Sequence, residues 1–384
     1  MSFIETEERR ALRAAVAELG AKYGPSYYVA KAKSGGKTDE LWAEAGRLGY
    51  LGVNVPEEYG GGGGGIGDLA AVCEELAAAG CPLLLMVVSP AICATIIARS
   101  GTEEQKKHWL PRFADGSVKM AFAITEPDAG SNSHRITTTA RRDGDGWILN
   151  GQKTFISGVD EADAVLFVGR SQDQKGSLRP SLFIVPTDAP GFTYTPIEME
   201  IVSPEKQFIC HLDDVRLPYD ALVGDEDGGL LQLFAGLNPE RIMATAMAAG
   251  IGRYALDKST SYAKERQVFN TPIGAHQGIA HPLAQAKIEL ELARLMGQKA
   301  AWLYDEGDDM GAGEAANMAK YAAGEAAVRV VDQAIQTHGG NGLTTEYGVG
   351  MLSGPVRLMR IAPVSREMIL NFVAQHSLGL PKSY

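Results

Sequence analysis

The sequence predicts an α+β multidomain fold: an N-terminal α-helical domain (1–118), a middle antiparallel β-barrel or sandwich domain (119–226) and a C-terminal four-helix bundle (227–384). Apolar residues recur at helical spacing towards both ends of the chain, whereas short alternating runs separated by turn residues fill the middle. With 384 residues, 45% of them apolar and 22% charged, the chain is long enough to bury such cores.

The N-terminal part shows a series of helical patterns. They cover residues 3–22, 39–48, 67–79 and 91–100, and a further helix opens at Thr102 with the capping-box pattern Thr-Glu-Glu-Gln. Six consecutive glycines, residues 60–65, interrupt the series. They are either a flexible loop or a backbone that another element approaches closely.

The middle and C-terminal parts differ in periodicity. Strand-like runs cover residues 120–125, 136–141, 147–149, 164–169, 181–186, 192–197 and 207–212, and this spacing is typical of an antiparallel barrel or sandwich. Helical spacing returns over residues 228–264, 277–305 and 314–338 and after Ser365. Long helices with short connections predict a bundle.

Charge and cysteine usage exclude several classes of function. The formal net charge is −11 without a run of basic residues, which argues against a nucleic-acid surface. No apolar run is long enough to span a membrane, and no signal-peptide core opens the chain. The cysteines lack Cys-x-x-Cys spacing, so we expect buried thiols in a cytoplasmic protein and no metal site. They are Cys73, Cys81, Cys93 and Cys210.

Residues 121–131, Ala-Phe-Ala-Ile-Thr-Glu-Pro-Asp-Ala-Gly-Ser, pass from an apolar strand into a turn of small residues. Such an edge can hold a flat cofactor, because the strand is a rigid wall and the turn exposes backbone N–H donors. An ordinary surface turn has the same composition.

Further stretches follow in order along the chain. Asn150-Gly-Gln-Lys-Thr-Phe-Ile-Ser predicts a turn that leads into a strand, and helix ends precede Arg266-Gln-Val-Phe-Asn and Gln336-Thr-His-Gly-Gly-Asn-Gly. Taken singly, each stretch is also what a common turn or a solvated helix end looks like.

In this combination and order, the motifs resemble those of the acyl-CoA dehydrogenase family, and the resemblance covers the whole chain. It rests on Ile124-Thr-Glu-Pro-Asp-Ala-Gly-Ser, Asn150-Gly-Gln-Lys, Arg266-x-x-Phe, and Gly339-Gly-Asn-Gly with Glu346-Tyr347. The resemblance implies FAD between the β domain and the C-terminal bundle, an acyl-CoA substrate and an electron-transfer flavoprotein as acceptor. It also implies an oligomer, a homotetramer or heterotetramer built as a dimer of dimers.

The resemblance further implies the residues of the cofactor site. The flavin ring would lie against Phe122, Ile124, Thr125, Phe155, Ile156 and Ser157, with Gly130 and Ser131 near the ring and the substrate. Phe155 stands where the family usually has Trp. Arg266, Phe269 and Gln277 would reach the pyrophosphate and adenine, Gln336, Gly339 and Gly340 would come from a neighbouring subunit, and Ser365 and Glu367 would lie near the cofactor. Asn270 replaces a family Gly, which Asn tolerates because it also adopts left-handed conformations.

The reaction needs a base that removes a proton α to the thioester carbonyl. The family's C-terminal glutamate is absent, because Pro363-Val364-Ser365 occupies its motif. A subset of the family places the base on the first long bundle helix, and the resemblance therefore implies Glu240 as the base. It also implies Ser131, Asn238, Arg241 and Val364 on the substrate side, with Arg241 either there or positioning the base. Alternatively, Asn238 and Pro239 mark a helix N-terminus, and the negative charge of Glu240 interacts favourably with the helix dipole there.

Pro363 is a second departure from the family pattern. The family's thioester oxygen receives a backbone N–H at this position, and proline has none. Val364 or another group would have to substitute. This departure keeps open a non-catalytic FAD- or CoA-binding subunit of a heteromeric enzyme. An acyl-CoA oxidase or an enoyl-CoA reductase on the same fold is a further alternative, and acyl-chain length stays open.

Overall fold

The computed structural model describes residues 5–172, 176–226 and 229–382, and helices dominate its first part. The helices of this part are α1 (Glu7–Ser34), α2 (Asp39–Arg47), α3 (Ile66–Ala78), α4 (Leu84–Met86), α5 (Thr95–Ser100) and α6 (Glu103–Ala114). A π-helical segment, Val87–Ala94, joins α4 to α5.

Two sequence expectations in this part have clear outcomes. Helix α1 extends to Ser34, past its predicted end at residue 22. Gly24 has non-helical backbone angles and bends the helix, and Pro25 opens its second stretch. Its predicted start, residue 3, lies outside the described residues. The capping box at Thr102 is confirmed, since Gln105 N donates to Thr102 Oγ1 at 3.2 Å and Thr102 N donates to Gln105 Oε1 at 3.0 Å.

The glycine run is a closely approached backbone. Gly63 N and Gly64 N donate to the carbonyl oxygens of Val55 and Val53. A Cβ atom at Gly61 would lie 2.1 Å from Val55 O, so a side chain there would displace the neighbouring backbone. The run then leads into α3, whose first amides donate to the Asp305 carboxylate.

A mixed sheet forms the middle of the chain. The strands are β1 (Met120–Ala123), β2 (Thr139–Asp143), β3 (Gly146–Ser157), β4 (Ala164–Gln172), β5 (Leu178–Pro186), β6 (Phe192–Ile197), β7 (Gln207–Pro218) and β8 (Leu222–Val223). The sheet order is β6-β7-β3-β2-β4-β5-β8, with β1 attached to β4. Strand β1 pairs with β4 in parallel, and β2 pairs with β4 in parallel at one register position, whereas the hairpin-linked strands pair antiparallel.

The prediction of a turn at Asn150-Gly151 is wrong. These residues lie inside β3, where the register against β7 shifts between Leu149 and Gly151. The Asn150 side chain donates to Asp214 Oδ1 and accepts from Asp214 N, both at 2.9 Å. This cross-strand pairing uses the polar groups that would otherwise stabilise a turn, so the strand continues through a β-bulge.

Strand β4 is apolar on both faces because it lies between two cores. Val165 and Phe167 pack in the core of the sheet, whereas Leu166 and Val168 belong to the core shared with the helices. Successive strand residues point to opposite faces, so a strand covered on both sides reads as a continuous apolar run.

The C-terminal part is a bundle of long helices closed by two short ones. Helix α9 begins before the predicted residue 314, because the Asp308 side chain accepts from Gly311 N and starts the helix ahead of two glycines that resemble helix breakers. A short hairpin of β9 (Gln267–Val268) and β10 (Thr271–Pro272) separates the first two helices. The helices are α7 (Gly229–Glu265), α8 (Gln277–Asp305), α9 (Asp309–His338), α10 (Ser353–Ile361) and α11 (Arg366–Phe372).

Two further outcomes concern the fold as a whole. Cys73, Cys81, Cys93 and Cys210 are buried and free, as predicted. None of the helices among the described residues combines the length and the apolar character that crossing a membrane requires.

A buried ion pair joins the first two sequence motifs. Lys153, in β3, is fully buried, and its Nζ lies 2.9 Å from Glu126 Oε1 and 2.9 Å from the carbonyl oxygen of Ile124. Glu126 also accepts from the backbone N–H groups of Thr137 and Thr138. Although burial alone would raise the pKa of Glu126, the hydrogen bonds from Thr138 and Thr137 and the charge of Lys153 lower it to about 2.

We expect Glu126→Gln to lower the free energy of unfolding by about 3–5 kcal/mol, because it leaves the Lys153 ammonium buried without a counter-charge. The double variant Glu126→Gln/Lys153→Met should recover much of this loss. Urea unfolding followed by tryptophan fluorescence measures both. As a control, Lys287→Gln removes an exposed ion pair with Glu291 and should cost about 0.5 kcal/mol or less. Equal costs for the buried and the exposed variants would contradict the prediction.

Candidate active site

Backbone and side-chain hydrogen bonds bring the first two motifs side by side. Thr154 N donates to Thr125 O at 2.9 Å, next to the bond from Lys153 Nζ to Ile124 O. The end of β1 and the second half of β3 therefore form one continuous surface. We call the residues predicted to contact the flavin ring the cofactor wall: Phe122, Ile124, Thr125, Phe155, Ile156 and Ser157.

Phe155 is the most exposed aromatic residue of the cofactor wall. Its φ is +57°, it sits at the register shift between Lys153 and Ile156, and 58% of its surface is exposed. A left-handed backbone is strained for a bulky side chain, and such strain clusters at functional sites. The β-bulge turns the ring out of the sheet, where a flat ligand can stack on it.

The other members of the cofactor wall offer different surfaces. Ile156 packs in the sheet core and Phe122 is 8% exposed, so both support the wall from behind. The Ser157 hydroxyl donates to Gln207 Oε1 at 3.1 Å. Gly130 and Ser131 are exposed directly after the tight turn closed between Glu126 and Ala129.

The β9–β10 hairpin presents a second exposed aromatic. Phe269 and Asn270 have φ of +53° and +63°, which matches the two-residue turn favoured in hairpins. The prediction that Asn270 accepts a left-handed conformation is confirmed. Phe269 is 90% exposed, and Arg266 and Gln277 flank it on the surface.

The end of α9 lies against the end of α7. The rings of His338 and Tyr262 stack with centroids 4.4 Å apart, and Asn341 Nδ2 donates to Tyr262 Oη at 3.1 Å. Arg266 N bonds to Tyr262 O, so the hairpin and the glycine motif share one end of the bundle. We call this surface the glycine corner: Arg266, Phe269, Gln277, Gln336, Gly339 and Gly340.

Packing within the chain does not explain both glycines of this corner. A Cβ atom at Gly339 or Gly340 would meet no other atom within 4 Å among the described residues. Gly339 has a positive φ of +59°, which favours glycine. Gly340 has no such constraint, so the open surface there leaves room for another body to approach the backbone.

Glu240 lies inside α7, which excludes the interpretation of Asn238 and Pro239 as a helix N-terminus. Pro239 leaves the carbonyl of Ala235 without its helical donor, and the Tyr304 hydroxyl supplies one at 2.8 Å. The predicted helix start, Gly228, lies outside the described residues.

Within the described part of the chain, the Glu240 carboxylate accepts no hydrogen bond. Although part of the residue is exposed, burial of the carboxylate raises its pKa to about 7, against the lowering effect of the Arg241 and Lys320 charges. An unengaged carboxylate with this proton affinity is suited to accept a proton near neutral pH.

Asn238 and Arg241 are both engaged within the protein. Arg241 Nη1 donates to Asn317 Oδ1 and Nη2 to Asn238 Oδ1, each at 2.8 Å. The Asn238 side chain in turn donates to Asp309 O at 3.0 Å. These bonds are what a positioning role of Arg241 beside Glu240 requires.

The segment that replaces the family's glutamate motif joins α10 to α11. Lys320 Nζ donates to the carbonyl oxygen of Val364, and Ser365 caps α11 by accepting from Met368 N at 3.3 Å. Glu367 is exposed and pairs with Arg366.

Sequence reasoning missed Glu126, Lys153 and Lys320 as site residues. The first two were inside the quoted motifs, where a Glu just after one strand and a Lys within another could have been paired. Lys320 interrupts the small-residue face of α9 formed by Ala316, Ala319 and Ala323. A charge on a buried helix face was the available signal.

Comparison with known proteins agrees with this geometry. Family models of the acyl-CoA dehydrogenase N-terminal, middle and C-terminal domains match residues 6–117, 121–208 and 227–378. The chain is similar to acyl-CoA dehydrogenase FadE12 of Mycobacterium tuberculosis, with 70% identity over 384 residues that cover 100% of this chain and 99% of the relative.

Solved structures show the same likeness. A glutaryl-coenzyme A dehydrogenase complex with glutaryl-CoA superposes with a TM-score of 0.94 at 30% identity, covering 100% of this chain and 98% of the other. A glutaryl-CoA dehydrogenase from Mycobacterium smegmatis in complex with FADH2 gives a TM-score of 0.90 at 28% identity, covering 99% and 96%. The chain belongs to the acyl-CoA dehydrogenase family of oxidoreductases.

Proposed function

We propose that this enzyme catalyses the FAD-dependent α,β-dehydrogenation of an acyl-CoA thioester to a trans-2-enoyl-CoA and passes the electrons to an electron-transfer flavoprotein. The observation that carries the proposal is Glu240. It is a carboxylate without a hydrogen-bond partner among the described residues, and burial raises its pKa to about 7. The helix that carries it is tied to α9 through Arg241 and Asn317.

Glu240 acts as the base of this reaction. A thioester α-proton is weakly acidic, so the base needs a raised proton affinity and a dry environment. Substrate binding excludes further water from the carboxylate and raises its pKa again. The bonds of Arg241 to Asn317 and Asn238 hold the adjacent turn of α7, which keeps the carboxylate in a fixed position.

The residues of the cofactor wall and the glycine corner fit FAD. The outward-turned Phe155 suits the flavin ring, and the guanidinium of Arg266 suits phosphate oxygens. The open backbone at Gly340 gives a dinucleotide close access. When bound, FAD supplies the oxidant that accepts the β-hydrogen of the substrate as hydride.

We infer that two subunits share each FAD, within a homotetramer. Phe269 projects from the surface with 90% of its area exposed, and an aromatic side chain so exposed is suited to an interface. Arg266 and Gly339 belong to the same glycine corner. In the proposed assembly, both contact the FAD that lies on the cofactor wall of the neighbouring subunit.

Pro363 favours one second candidate, a non-catalytic subunit of a heteromeric dehydrogenase. Loss of a preorganised N–H donor to the developing oxyanion costs on the order of 3 kcal/mol, about a hundredfold in rate. Val364 N has no acceptor among the described residues, and its carbonyl is held by Lys320. We favour the catalytic function because Val364 N–H is available one residue away.

Glu240→Gln should slow substrate-dependent flavin reduction by about 10²-fold or more, because glutamine cannot accept the α-proton. The measurement is bleaching of the bound flavin under argon with butyryl-, octanoyl-, palmitoyl- and isovaleryl-CoA. Glu306→Gln, an exposed residue after α8, is the matched control and should bleach like the wild type.

Three outcomes would count against the proposal. Unchanged bleaching by Glu240→Gln would remove Glu240 as the base. A wild-type protein that holds flavin but is bleached by none of these thioesters would favour the non-catalytic subunit. Rapid oxygen uptake with substrate would indicate an oxidase instead.

The raised pKa of Glu240 also makes the stability of the holoenzyme depend on pH. A carboxyl group whose folded pKa exceeds its unfolded value contributes stability fully below about pH 4.5 and loses it as the pH rises through about 7. Glutamine resembles the protonated form, so Glu240→Gln should raise Tm at pH 8 and change it little at pH 5. Scanning calorimetry at both values checks this. An equal change at both pH values would contradict it.

Complementation tests the shared FAD site. Arg266→Gln removes a charge-assisted phosphate contact and should weaken FAD binding about tenfold or more, and Phe155→Asp places a charge against the flavin ring. After the two variants are unfolded and refolded together, each hybrid dimer should regain one intact FAD site of two, measured by bound flavin. Hybrids that bind no more flavin than the parents would show that the glycine corner serves its own subunit.

A further inference from the structure

Helix α8 carries an apolar stripe on the face that points away from the bundle. Ile288, Leu292 and Leu295 each leave between 47% and 62% of their surface exposed. The opposite face, which includes Leu290 and Gly297, is buried in the bundle. A surface helix with one buried face normally carries polar residues on the other. Helix α8 therefore has more apolar surface than the described chain covers.

The exposed positions of α8 have the spacing of a seam between two helices. They follow one another at alternating steps of four and three residues, which is the pattern that keeps one helix in contact with another along its length. We call these exposed residues the α8 seam: His281, Gln285, Ile288, Leu292, Leu295 and Lys299. A random scatter of exposed apolar residues would not keep this register.

The α8 seam has an apolar centre and polar ends. Its three apolar members are consecutive, His281 and Gln285 precede them, and Lys299 follows. Interfaces between proteins have the same anatomy, with an apolar core that excludes water inside a polar rim. A second helix laid along the seam would bury the apolar centre and leave both ends in water.

The charges that border the α8 seam are balanced within the chain. Glu291 accepts from Lys287 Nζ at 2.6 Å and from Arg294 Nη1 at 3.0 Å. On the other border, Glu289 accepts from Arg329 Nε at 2.7 Å. An excess of one charge would select a partner of the opposite sign and repel an identical helix. Balanced borders do neither, so they admit a copy of the same helix.

The sequence of the seam favours an antiparallel pair of helices over a parallel one. In a parallel pair, Lys299 would face Lys299 of the partner subunit, and like charges opposite each other are unfavourable. In an antiparallel pair centred on Leu292, the two Leu292 side chains meet and Ile288 lies against Leu295 of the partner subunit. Lys299 then lies near the partner subunit's Gln285, which is neutral and can accept its hydrogen bond.

The same helix begins at the glycine corner. Gln277 belongs to that corner and is the first residue of α8, about one helical turn before His281, the first residue of the seam. Closed tetramers built from identical chains commonly use two different two-fold interfaces. Helix α8 is placed to serve both, with its first turn at the glycine corner and its outer face along the seam.

We propose that the α8 seam is a self-association surface: α8 packs antiparallel against α8 of a second copy of this chain, around a two-fold axis near Leu292, and this contact joins two FAD-sharing dimers into the homotetramer. The joining of dimers rests on the shared FAD site inferred above, whereas the contact between the two helices does not.

Cross-linking tests the position of the axis, because a residue near a two-fold axis lies beside its own copy. The native cysteines are buried, so a short bis-maleimide should join the Leu292→Cys holoenzyme into covalent dimers and leave the wild type unlinked. Glu306→Cys is the control, since Glu306 directly follows α8. In the antiparallel pair its two copies lie about 40 Å apart along the helices and should stay unlinked.

Leu292→Glu tests the role of the seam in assembly. We expect it to raise the dissociation constant between dimers about hundredfold or more, because two carboxylates then meet at the centre of the contact. Sedimentation velocity should show particles of half the wild-type mass. They should hold the wild-type amount of flavin per chain, since the glycine corner is unchanged. Leu178→Glu alters an exposed leucine of β5 and should keep the wild-type mass.

Several outcomes would overturn the inference. Leu292→Cys chains that do not cross-link, or Glu306→Cys chains that cross-link equally well, would exclude the antiparallel seam. A wild-type mass for Leu292→Glu, or the same loss of mass in Leu178→Glu, would exclude its role in assembly. Should Leu292→Glu fail to fold as holoenzyme, cross-linking at position 292 decides.

The shared FAD site fails or stands independently of the seam. Cross-linking at position 292, in a chain whose refolded hybrids regain no flavin, would support the seam and remove the shared FAD site. Hybrids that regain flavin, in a chain that does not cross-link at position 292, would retain the shared FAD site and overturn the seam.

Discussion

The ion pair of Lys153 and Glu126 is the interaction on which the cofactor wall depends. Lys153 of β3 bonds to both the carboxylate of Glu126 and the carbonyl of Ile124, so the segment that follows β1 can lie against β3 only while both charges are compensated. A buried pair of this kind is costly to break and adds little net stability over apolar packing. Its value here is position: it fixes Lys153, two residues before the strained backbone at Phe155, against the segment that follows β1.

Much of the fold was predictable because its signals are local. Helical spacing, the capping box at Thr102 and the left-handed preference of Asn270 depend on near neighbours in sequence, and the structure agrees with each. The wrong prediction, a turn at Asn150-Gly151, failed because Asp214, distant in sequence, supplies the partners of Asn150. The resemblance led to Glu240. The small-residue face of α9 could have indicated Lys320 as a buried charge, but periodicity does not say which groups surround it.

The surroundings of Glu240 lower the stability of the folded chain. Burial disfavours its ionised form, and the helix that carries it contains Pro239, whose missing hydrogen bond Tyr304 replaces at the Ala235 carbonyl. The surrounding polar side chains are satisfied by one another: Arg241 by Asn317 and Asn238, and Asn238 by Asp309. The carboxylate alone is left without a partner among these groups. A carboxylate left free in this way is what the proposed role of Glu240 as base requires.

The same arrangement explains how a proline can stand at position 363. The proposed base, Glu240, is held by the packing of α7 rather than by the connection between α10 and α11, so under that proposal the connection needs no carboxylate. Glu325 and Lys320 connect this segment and its flanks to α9 through three hydrogen bonds. Once Lys320 holds the Val364 carbonyl, the trans peptide that follows directs the Ser365 N–H to the opposite side. After the loss of the N–H at Pro363, the Val364 and Ser365 N–H groups are therefore the nearest backbone donors that follow it in this segment.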